Sequence, residues 1–302
     1  MVISIVTAYY NRKKIFIRTL ESISKSEYTG EYEVVVIDDG SREEERLEDL
    51  VTKFPFLKVI RLEPDQKWYN NSCIPFNIGF KEAKGDKIII QNPECFHFDD
   101  ILSCVSNNLQ QGTYLSFGCF SIDKGSTDED KLFWNREYIE DTIAKNNYIV
   151  KEDGGLGWYN HSIYRPEAYH FCTAIIKNDL NKLQGFDERF ALGIAYDDDE
   201  FIQRVRRRLQ IVFVDKCRVL HQNHYNMEST SYQNRSNKKA LFKYNKSVLD
   251  NRFLFSSNRV LSLIGEKRKT IRLINFAEKY INRLIYPFVK ISRKTKNNLT
   301  QI

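Results

Sequence analysis

Four apolar residues followed by two carboxylates decide the fold of this chain, in the stretch Val34-Val35-Val36-Ile37-Asp38-Asp39-Gly40-Ser41. An unbroken β-branched run is typical of a strand buried on both faces of a parallel sheet. Open α/β sheets bind their ligands beyond the carboxyl ends of the strands, where Asp38 and Asp39 stand. A strand-ending turn is the other interpretation, because Asp and Gly are common turn residues. The stretch predicts an α/β sheet with a ligand site or a turn at its edge.

The first hundred residues repeat this alternation of short strands and longer amphipathic segments. Strands are predicted at residues 2–6, 34–37, 59–62 and 88–90. Helices with one apolar face are predicted at residues 14–24 and 43–54, the second with a capping box of Ser41 and Glu44. Parallel strands joined by crossover helices are the predicted architecture.

The pattern weakens in the second half of the chain. We predict a helix at residues 101–109, a strand at 114–122, a surface loop at 123–131, helices at 177–183 and 197–209, and a strand at 211–214. From residue 238 onward we predict helices with a basic polar face, the last of them interrupted at Pro287.

Composition and charge exclude several classes of protein. The 302 residues are 42% hydrophobic and 28% charged, as in a soluble globular protein, and no apolar run approaches the roughly 20 residues that span a bilayer. The net charge of +6 lies at the end of the chain, since residues 259–302 contain eleven Lys or Arg and two Glu. A slightly acidic body with a basic tail argues against nucleic-acid binding and for an anionic surface as the partner of the tail.

The cysteines and the N-terminus indicate a compartment. Six cysteines without a CxxC pair give no zinc-ribbon spacing and are expected to be free thiols in a reducing environment. Residues 2–6 already form a predicted strand, so the start of the sequence does not resemble a secretion signal. We expect a cytoplasmic protein.

Polar residues follow three of the predicted strands. Neither GxGxxG nor a P-loop motif occurs, which removes the main support for dinucleotide binding and P-loop hydrolysis. Instead, strand-end segments converge at one edge of the sheet: Thr7-Ala8-Tyr9-Tyr10-Asn11-Arg12, then Asp38-Asp39, then Gln91-Asn92-Pro93-Glu94.

These motifs resemble those of the nucleotide-sugar glycosyltransferases of the GT-A fold, family two in particular. The first strand and turn are similar to the family's IVxTYNR, the second to its VIDDGS, and residues 77–86 to its NxGxxxAxGD. The resemblance covers about residues 2–225. It implies a GT-A catalytic domain over residues 1–235, with a mixed sheet flanked by helices, and leaves residues 236–302 as a basic helical tail. It also implies a nucleotide-sugar donor, with UDP favoured.

The resemblance also implies a nucleotide-binding set. Asp38 would accept a hydrogen bond from a ring N–H of the base, assisted by Asp39. The implied residues are Thr7, Tyr9, Arg12, Asp38, Asp39 and Asn77.

The loop after the fourth strand departs from the family pattern. The family usually has Asp-x-Asp there, whereas Gln91-Asn92-Pro93-Glu94 contains one carboxylate. Mg²⁺ and Mn²⁺ often take only one or two protein carboxylates, because phosphates and water complete their coordination. Glu94 is therefore the predicted ligand and Asn92 a weaker one. The alternative is a loop that has lost its metal.

A histidine would strengthen such a site. GT-A enzymes often supply one after the strand that follows the acidic helix, where this chain has His221-Gln222-Asn223-His224. We predict His221 as a metal ligand in preference to His224, although a lone histidine is more often structural.

The acidic helix supplies the predicted base. Residues 185–190 and 197–204 resemble the family's GFDExF and EDxDxxxR elements, in which the second acid of the pair is the base. This resemblance assigns the base to Asp198 and places Asp197 beside the sugar or acceptor. The alternative is that the four acids only stabilise the N-terminus of a helix through its dipole.

A glycine-rich segment at residues 154–161 is the last candidate. Glycines beside aromatic residues suit a mobile loop that closes over a sugar, with Trp158 as a stacking face. His161 and Arg165 would bind acceptor or diphosphate. An aromatic-pinned surface loop is the alternative interpretation.

The predicted activity is sugar transfer with inversion, from a nucleotide-diphosphate sugar to a hydroxyl of a glycan or lipid-linked acceptor, with Mn²⁺ or Mg²⁺. Bacterial surface-polysaccharide assembly, as in capsule or lipopolysaccharide synthesis, is the expected setting. A nucleotidyltransferase on a similar sheet and a non-catalytic nucleotide-sugar or glycan-binding protein remain as alternatives.

The tail has two interpretations. Apolar residues at three- to four-residue spacing over residues 271–289 form a stripe, flanked by Lys and Arg over residues 267–296. The stripe either packs on the catalytic domain or lies on an anionic membrane surface, which would make the protein peripheral on the inner face of the membrane.

Overall fold

Nine strands form one sheet in the computed structural model, which describes residues 2–224, 237–252, 258–261 and 266–298. The sheet order is β3-β2-β1-β4-β8-β6-β9-β5, with β7 paired to β6. The strands are β1 (Ile3–Tyr9), β2 (Tyr32–Asp38), β3 (Leu57–Arg61), β4 (Lys87–Gln91), β5 (Cys95–His97), β6 (Thr113–Ser121), β7 (Gly157–Asn160), β8 (Cys172–Ile176) and β9 (Gln210–His221).

The first half of the sheet is parallel, as predicted. Strands β3, β2, β1 and β4 run side by side, and Tyr9 pairs in register with Asp38, so the first two strands end together. Strands β8 and β6 follow in antiparallel pairing. The mixed α/β sheet predicted from the sequence is confirmed.

The unbroken apolar run in β2 serves both faces of the sheet. Val34 and Val36 belong to one core cluster, whereas Val35 and Ile37 belong to the cluster on the other face. Alternate side chains of a strand point to opposite faces, so a strand covered on both sides needs apolar residues at every position.

Helices cover both faces and extend beyond the sheet. The helices are α1 (Lys13–Ile23), α2 (Cys73–Glu82), α3 (Ile101–Asn108), α4 (Lys124–Asp128), α5 (Asp130–Phe133), α6 (Arg136–Lys145), α7 (Lys177–Leu183), α8 (Asp197–Arg208), α9 (Lys238–Asn251), α10 (Asn258–Leu261) and α11 (Lys267–Asn298). None of the described helices is long and apolar enough to cross a lipid bilayer.

Three local predictions were wrong. Residues 43–54 form two short 3-10 turns instead of a helix. The Ser41 hydroxyl does not cap a helix there, because it accepts a hydrogen bond from the backbone N–H of Asn11 at 3.1 Å. The expected loop at 123–131 contains α4 and α5, with the Asp123 side chain capping α4. Helix α11 continues through Pro287.

The start of α11 packs on the sheet domain through a buried ion pair. Arg189 is completely buried, is paired with Asp187 at 2.5 Å, and forms a second ion pair with Glu278 of α11. Ile271 is also fully buried, and the Asn275 side chain donates to the backbone carbonyl of Arg189 at 3.1 Å. The predicted domain boundary at residue 235 lies outside the described residues.

Removing the Glu278 carboxylate should destabilise the protein. We expect Glu278→Ala to lower the free energy of unfolding by about 3 kcal/mol, because the buried Arg189 charge loses a carboxylate partner. Urea denaturation measures the change. Glu266→Ala is the matched control, because its ion pair with Lys269 on the same helix is exposed, and we expect a change below about 0.5 kcal/mol. Equal effects of the two substitutions would contradict the buried ion pair.

Candidate active site

A cleft of about 330 Å³ opens at the carboxyl ends of β1, β2 and β4. Three polar groups meet in it: Asp39 after β2, Glu94 after β4, and Asp197 with Asp198 at the start of α8. This is the edge at which the sequence predicted a site. The remaining walls include residues just before α2 and in its first turn, the segment before β8, and Phe242 of α9.

One side of the cleft contains a buried cluster of a carboxylate and two imidazoles. Glu94 Oε1 lies 3.2 Å from Nε2 of His221 and 3.4 Å from Nε2 of His224. One ligand atom from each residue falls within 4.8 Å of the others, and all three residues are buried. The sequence favoured His221, whereas the structure brings both histidines to Glu94.

The surroundings of the cluster favour an ionised Glu94 and a neutral His224, the forms in which these side chains bind cations. Burial raises the pKa of the Glu94 carboxyl, but the Arg12 guanidinium and the two imidazoles outweigh burial and hold that pKa well below its usual range. Arg12 Nη1 lies 2.5 Å from Glu94 Oε2. Burial lowers the pKa of His224 to about 4, so its imidazole is neutral near pH 7, as a metal ligand must be.

Gln222 fixes the backbone on both sides of the cluster. Its side-chain amide donates to the carbonyl of Glu94 at 3.2 Å and to Thr19 Oγ1 at 3.0 Å, and its carbonyl oxygen accepts from Arg18 at 3.1 Å. Gln222 lies between the two histidines in the sequence, and it is completely buried. It therefore ties the carboxylate loop and the histidine segment to α1.

The Gln91 side chain forms hydrogen bonds across the loop that follows β4. Its amide nitrogen donates to the carbonyl of Cys95 at 2.7 Å, and its oxygen lies 2.7 Å from Nε2 of His97. Burial lowers the pKa of His97 to about 3, so the neutral ring donates to Gln91. Where the family usually has a carboxylate, this chain has a loop-closing amide. Asn92 lines the cleft, and its backbone N–H donates to Phe171.

Only one of the two acids at the end of β2 faces the cleft. Asp38 is completely buried and accepts from the Ser41 N–H at 2.9 Å and from Arg61 at 2.8 Å. Asp39 lines the cleft and pairs with Lys67 and with the Tyr69 hydroxyl. Of the two acids predicted to contact the nucleotide, Asp39 is therefore the one that reaches the cleft.

The other predicted nucleotide residues lie at different depths. Arg12 lines the cleft. Tyr9 borders the cleft but packs in the core, and its hydroxyl donates to the Glu45 carbonyl at 2.8 Å. Thr7 is buried within β1 and does not line the cleft. Asn77 is not brought to the cleft either, because its side chain holds both backbone groups of Phe186.

Two carboxylates stand at the beginning of α8. Burial and the neighbouring Asp198 carboxylate raise the pKa of Asp197 to about 7. Burial also raises the pKa of Asp198, while the positive charge of Arg165 opposes that shift. Asn71 donates to Asp197 Oδ1 at 2.9 Å. The Asp198 side chain is only half-buried and lines the cleft, so it can meet a ligand.

The turn before α8 has an unusual backbone. Ala195 has φ of 58° and Tyr196 has φ of 67°, both in the left-handed region. Asn245 of α9 holds this turn by donating to the carbonyl of Ala195 at 2.8 Å. Gly193 is required nearby, because a Cβ there would lie 2.2 Å from the Asn245 side-chain oxygen.

Arg204, which the sequence matched to the family's arginine, supports the same region. It pairs with Glu200 through two hydrogen bonds of 2.7 and 2.6 Å and donates to the carbonyl of Gly185 at 2.9 Å. The arginine thereby fixes α8 to the turn that follows α7, at Gly185.

The glycine-rich segment does not supply an exposed stacking face. Trp158 lies in β7, is only 3% exposed, and packs against Phe120 with ring centres 5.1 Å apart. The His161 ring packs against Trp158 at a tilted angle, with ring centres 4.5 Å apart, outside the cleft. Both side chains take part in aromatic packing away from the cleft. Arg165 also lies outside the cleft lining and reaches Asp198 only through its charge.

Sequence reasoning missed several polar residues of the cleft, among them Asn71 and His170. His170 is half-buried between Phe76 and Phe186, with ring centres at 5.2 and 4.9 Å, and burial lowers its pKa to about 4. Neither residue lies in a motif, so the sequence offered no signal for them.

Comparisons with known proteins agree with this geometry. The model of the family Glycosyl transferase family 2 matches residues 4–169. The chain is 34% identical over 240 residues to chondroitin synthase of Escherichia coli, covering 68% of this chain and 32% of that protein. It is 27% identical over 138 residues to dolichol-phosphate mannosyltransferase of Pyrococcus furiosus, covering 45% and 38%. The chain thus spans about a third of the length of these curated relatives, 32% and 38%.

Solved structures share the fold. Residues 1–349 of S. aureus TarS superpose with a TM-score of 0.52 at 15% identity, over 92% of this chain and 80% of that one. GalNAc-T7, crystallised with UDP, GalNAc and Mn²⁺, superposes with a TM-score of 0.53 at 16% identity, over 91% and 54%. From the match to the family model and the sheet with its strand-end cleft, we conclude that this chain belongs to glycosyl transferase family 2 and has the GT-A fold.

Proposed function

We propose that this enzyme transfers a sugar, with inversion, from a nucleotide-diphosphate sugar to a hydroxyl of a glycan or lipid-linked acceptor. The observation that carries the proposal is that one cleft contains both a carboxylate of raised pKa, Asp198, and the Glu94, His221 and His224 cluster. A UDP-sugar is the favoured donor, in keeping with the UDP and UDP-GlcNAc complexes of TarS.

Asp198 is the proposed general base. It would take the proton of the acceptor hydroxyl as the oxygen attacks the anomeric carbon, from the side opposite the leaving diphosphate. Burial raises its pKa and so makes it a stronger base than an ordinary Asp. Asp197, deeper in the wall and held by Asn71, would accept a hydrogen bond from a sugar hydroxyl through Oδ2, which has no hydrogen-bond partner among the described residues.

Glu94, His221 and His224 are the proposed ligands of a divalent cation, with Asn92 as a further oxygen donor. One carboxylate and two imidazoles suit Mn²⁺, and suit Mg²⁺ less because it prefers oxygen ligands. A bound divalent cation neutralises the charge of a leaving diphosphate. Arg12, already paired with Glu94, stands beside this site and would contribute a second positive charge.

Asp39 is the proposed acceptor for the ring N–H of the base. It lines the cleft, whereas the oxygens of Asp38 are engaged by Ser41 and Arg61. Lys67 and Tyr69 fix the Asp39 carboxylate in place through their own contacts. Thr7 would act by supporting β1 beneath this site, since its side chain is buried.

Surface-polysaccharide assembly at the inner face of the cytoplasmic membrane is the proposed setting. All six cysteines are free, and five are buried, as expected of a protein in a reducing compartment. The similarity to chondroitin synthase, whose name describes polysaccharide synthesis, supports a glycan acceptor.

One assay tests the proposal against its alternatives. Purified protein is incubated with a panel of nucleotide sugars and Mn²⁺, and the products are analysed. Free nucleoside diphosphate supports glycosyl transfer or donor hydrolysis, pyrophosphate would indicate a nucleotidyltransferase, and binding without turnover would indicate a non-catalytic binding protein.

Replacing the base should remove turnover while leaving donor binding intact. We expect Asp198→Asn to lower kcat by about a thousandfold, because an amide cannot accept the proton, and to leave the donor Kd unchanged within about threefold. Asp199→Asn is the control, since that side chain accepts from the Tyr169 hydroxyl instead of lining the cleft. If Asp198→Asn keeps more than about a tenth of the wild-type rate, another residue is the base.

Removing the divalent cation should abolish enzyme activity. We expect EDTA to abolish turnover and added Mn²⁺ to restore it. Glu94→Gln and His224→Ala should each weaken Mn²⁺ binding by at least about tenfold in calorimetry without donor, because each removes a ligand atom. His161→Ala removes a histidine outside the cleft and should bind Mn²⁺ like the wild type. Full activity in EDTA would contradict the metal site.

The acid limb of the pH profile should move when Arg165 loses its charge. Asp198 must be ionised to act as a base, and its pKa is raised. As the pH is lowered, kcat/KM should therefore begin to fall at a higher pH than it would with an ordinary Asp. Arg165→Gln removes a charge that favours the carboxylate, so the limb should shift further to higher pH. Arg206→Gln, whose partner is the exposed Glu167, should leave the limb in place. A shift to lower pH in Arg165→Gln would exclude Asp198 as the titrating group.

A further inference from the structure

Helix α11 presents different chemistry on three of its sides. One side faces the sheet domain with Ile271, Asn275 and Glu278, which make the buried contacts described above. These positions are three or four residues apart, so they lie on one stripe of the helix. The packing therefore uses only part of the helix surface.

A second stripe of α11 is apolar and exposed. Leu273, Phe276, Tyr280 and Leu284 recur at three- and four-residue spacing and are 68%, 61%, 50% and 73% exposed. The rings of Phe276 and Tyr280 lie 4.5 Å apart and form one continuous surface. The exposed large apolar side chains elsewhere in the described residues are scattered, whereas these four lie on one helix.

A third stripe, beside the apolar one, is basic. Arg272, Lys279 and Arg283 follow one another at spacings of seven and four residues, which brings them to one side of the helix. Residues 267–284 contain six Lys or Arg and a single acid, Glu278. That acid is buried against Arg189, so the outward charge of the segment is entirely positive.

We propose that this exposed face of α11 docks the protein on an anionic lipid bilayer, with Phe276, Tyr280 and the two leucines entering the interface and the basic stripe meeting the headgroups. An apolar face with aromatic residues bordered by Lys and Arg is the chemistry that an interfacial helix requires. Helix α11 thus packs on the domain through one face and would dock on a membrane through another, so the two interpretations of the tail do not exclude each other.

A second copy of the chain fits this face less well than a bilayer. In a symmetric contact the same patch occurs on both partners, so the basic stripe of one copy would be brought near that of the other. Like charges disfavour such a contact, whereas an anionic surface is complementary to it.

Helix α11 is linked to the cleft through its packing side and α9. Asn275 of α11 donates to the Tyr244 hydroxyl at 2.9 Å, and the neighbouring Phe242 on α9 lines the cleft. If the proposed function holds, membrane docking would bring this wall of the cleft towards lipid-linked acceptors. The docking itself does not depend on that function.

Vesicle binding by the full chain tests the proposal. We expect co-sedimentation with phosphatidylcholine vesicles containing about 30% phosphatidylglycerol, weak binding to phosphatidylcholine alone, and release at high salt. The double variant Phe276→Gln with Leu284→Gln should bind at least about tenfold more weakly, as should Arg272→Gln with Arg283→Gln. Ile163→Gln is the matched control, because Ile163 is an exposed apolar residue outside α11, and it should bind like the wild type.

Other outcomes would overturn the proposal. Wild-type binding by the Phe276 and Leu284 variant would show that another surface is responsible. Sedimentation of the wild type as a dimer that this variant dissociates, without vesicle binding, would assign the face to self-association. Donor turnover, measured without vesicles, should be the same in all these variants. Specific vesicle binding would support the docking surface even if no nucleotide sugar were turned over, so the two proposals fail separately.

Discussion

The cleft is organised around one buried negative charge, the carboxylate of Glu94. A carboxylate taken out of water is destabilised by several kcal/mol unless charged or hydrogen-bonding groups surround it. Its partners here are Arg12, from the end of β1, and two histidines from the end of β9. The charge therefore holds three strand ends, distant in sequence, at fixed positions around the cleft.

The fold was predictable because burial acts on every residue of the central strands. The run at 34–37 needed apolar side chains on both faces, and this need is visible in the sequence. Residues 43–54 misled the prediction because their apolar spacing suits a helix, whereas Glu45 accepts from the Lys13 N–H at 2.7 Å and Ser41 from Asn11. Contacts with a segment thirty residues away decided the local conformation, and periodicity does not report such contacts.

The placement of residues at the cleft was predictable from the ends of strands and the start of the acidic helix, as for Glu94 and Asp198, which both line it. It was less predictable where side-chain direction decides the outcome. Asp38 and Asp39 are adjacent, yet one is engaged inside the protein and the other lines the cleft. Trp158 was expected at the surface because glycines precede it, but β7 places its ring in a core cluster with Phe120. Such directions depend on the pleat of a strand and on neighbours that the sequence does not identify.

The left-handed turn at Ala195 and Tyr196 limits how independently the sheet domain and the helices after residue 235 can be exchanged. Two non-glycine residues in that conformation destabilise the turn by roughly 1–2 kcal/mol each, so something outside it must hold it in place. Part of that support is Asn245, which bonds both Phe190 and Ala195 and belongs to α9, beyond the expected catalytic segment. The geometry of the acidic helix is therefore a joint property of both parts of the chain. A chimaera that exchanged everything after residue 235 for the tail of another enzyme would keep Asp198 in its sequence but lose the residue that orients the turn before it.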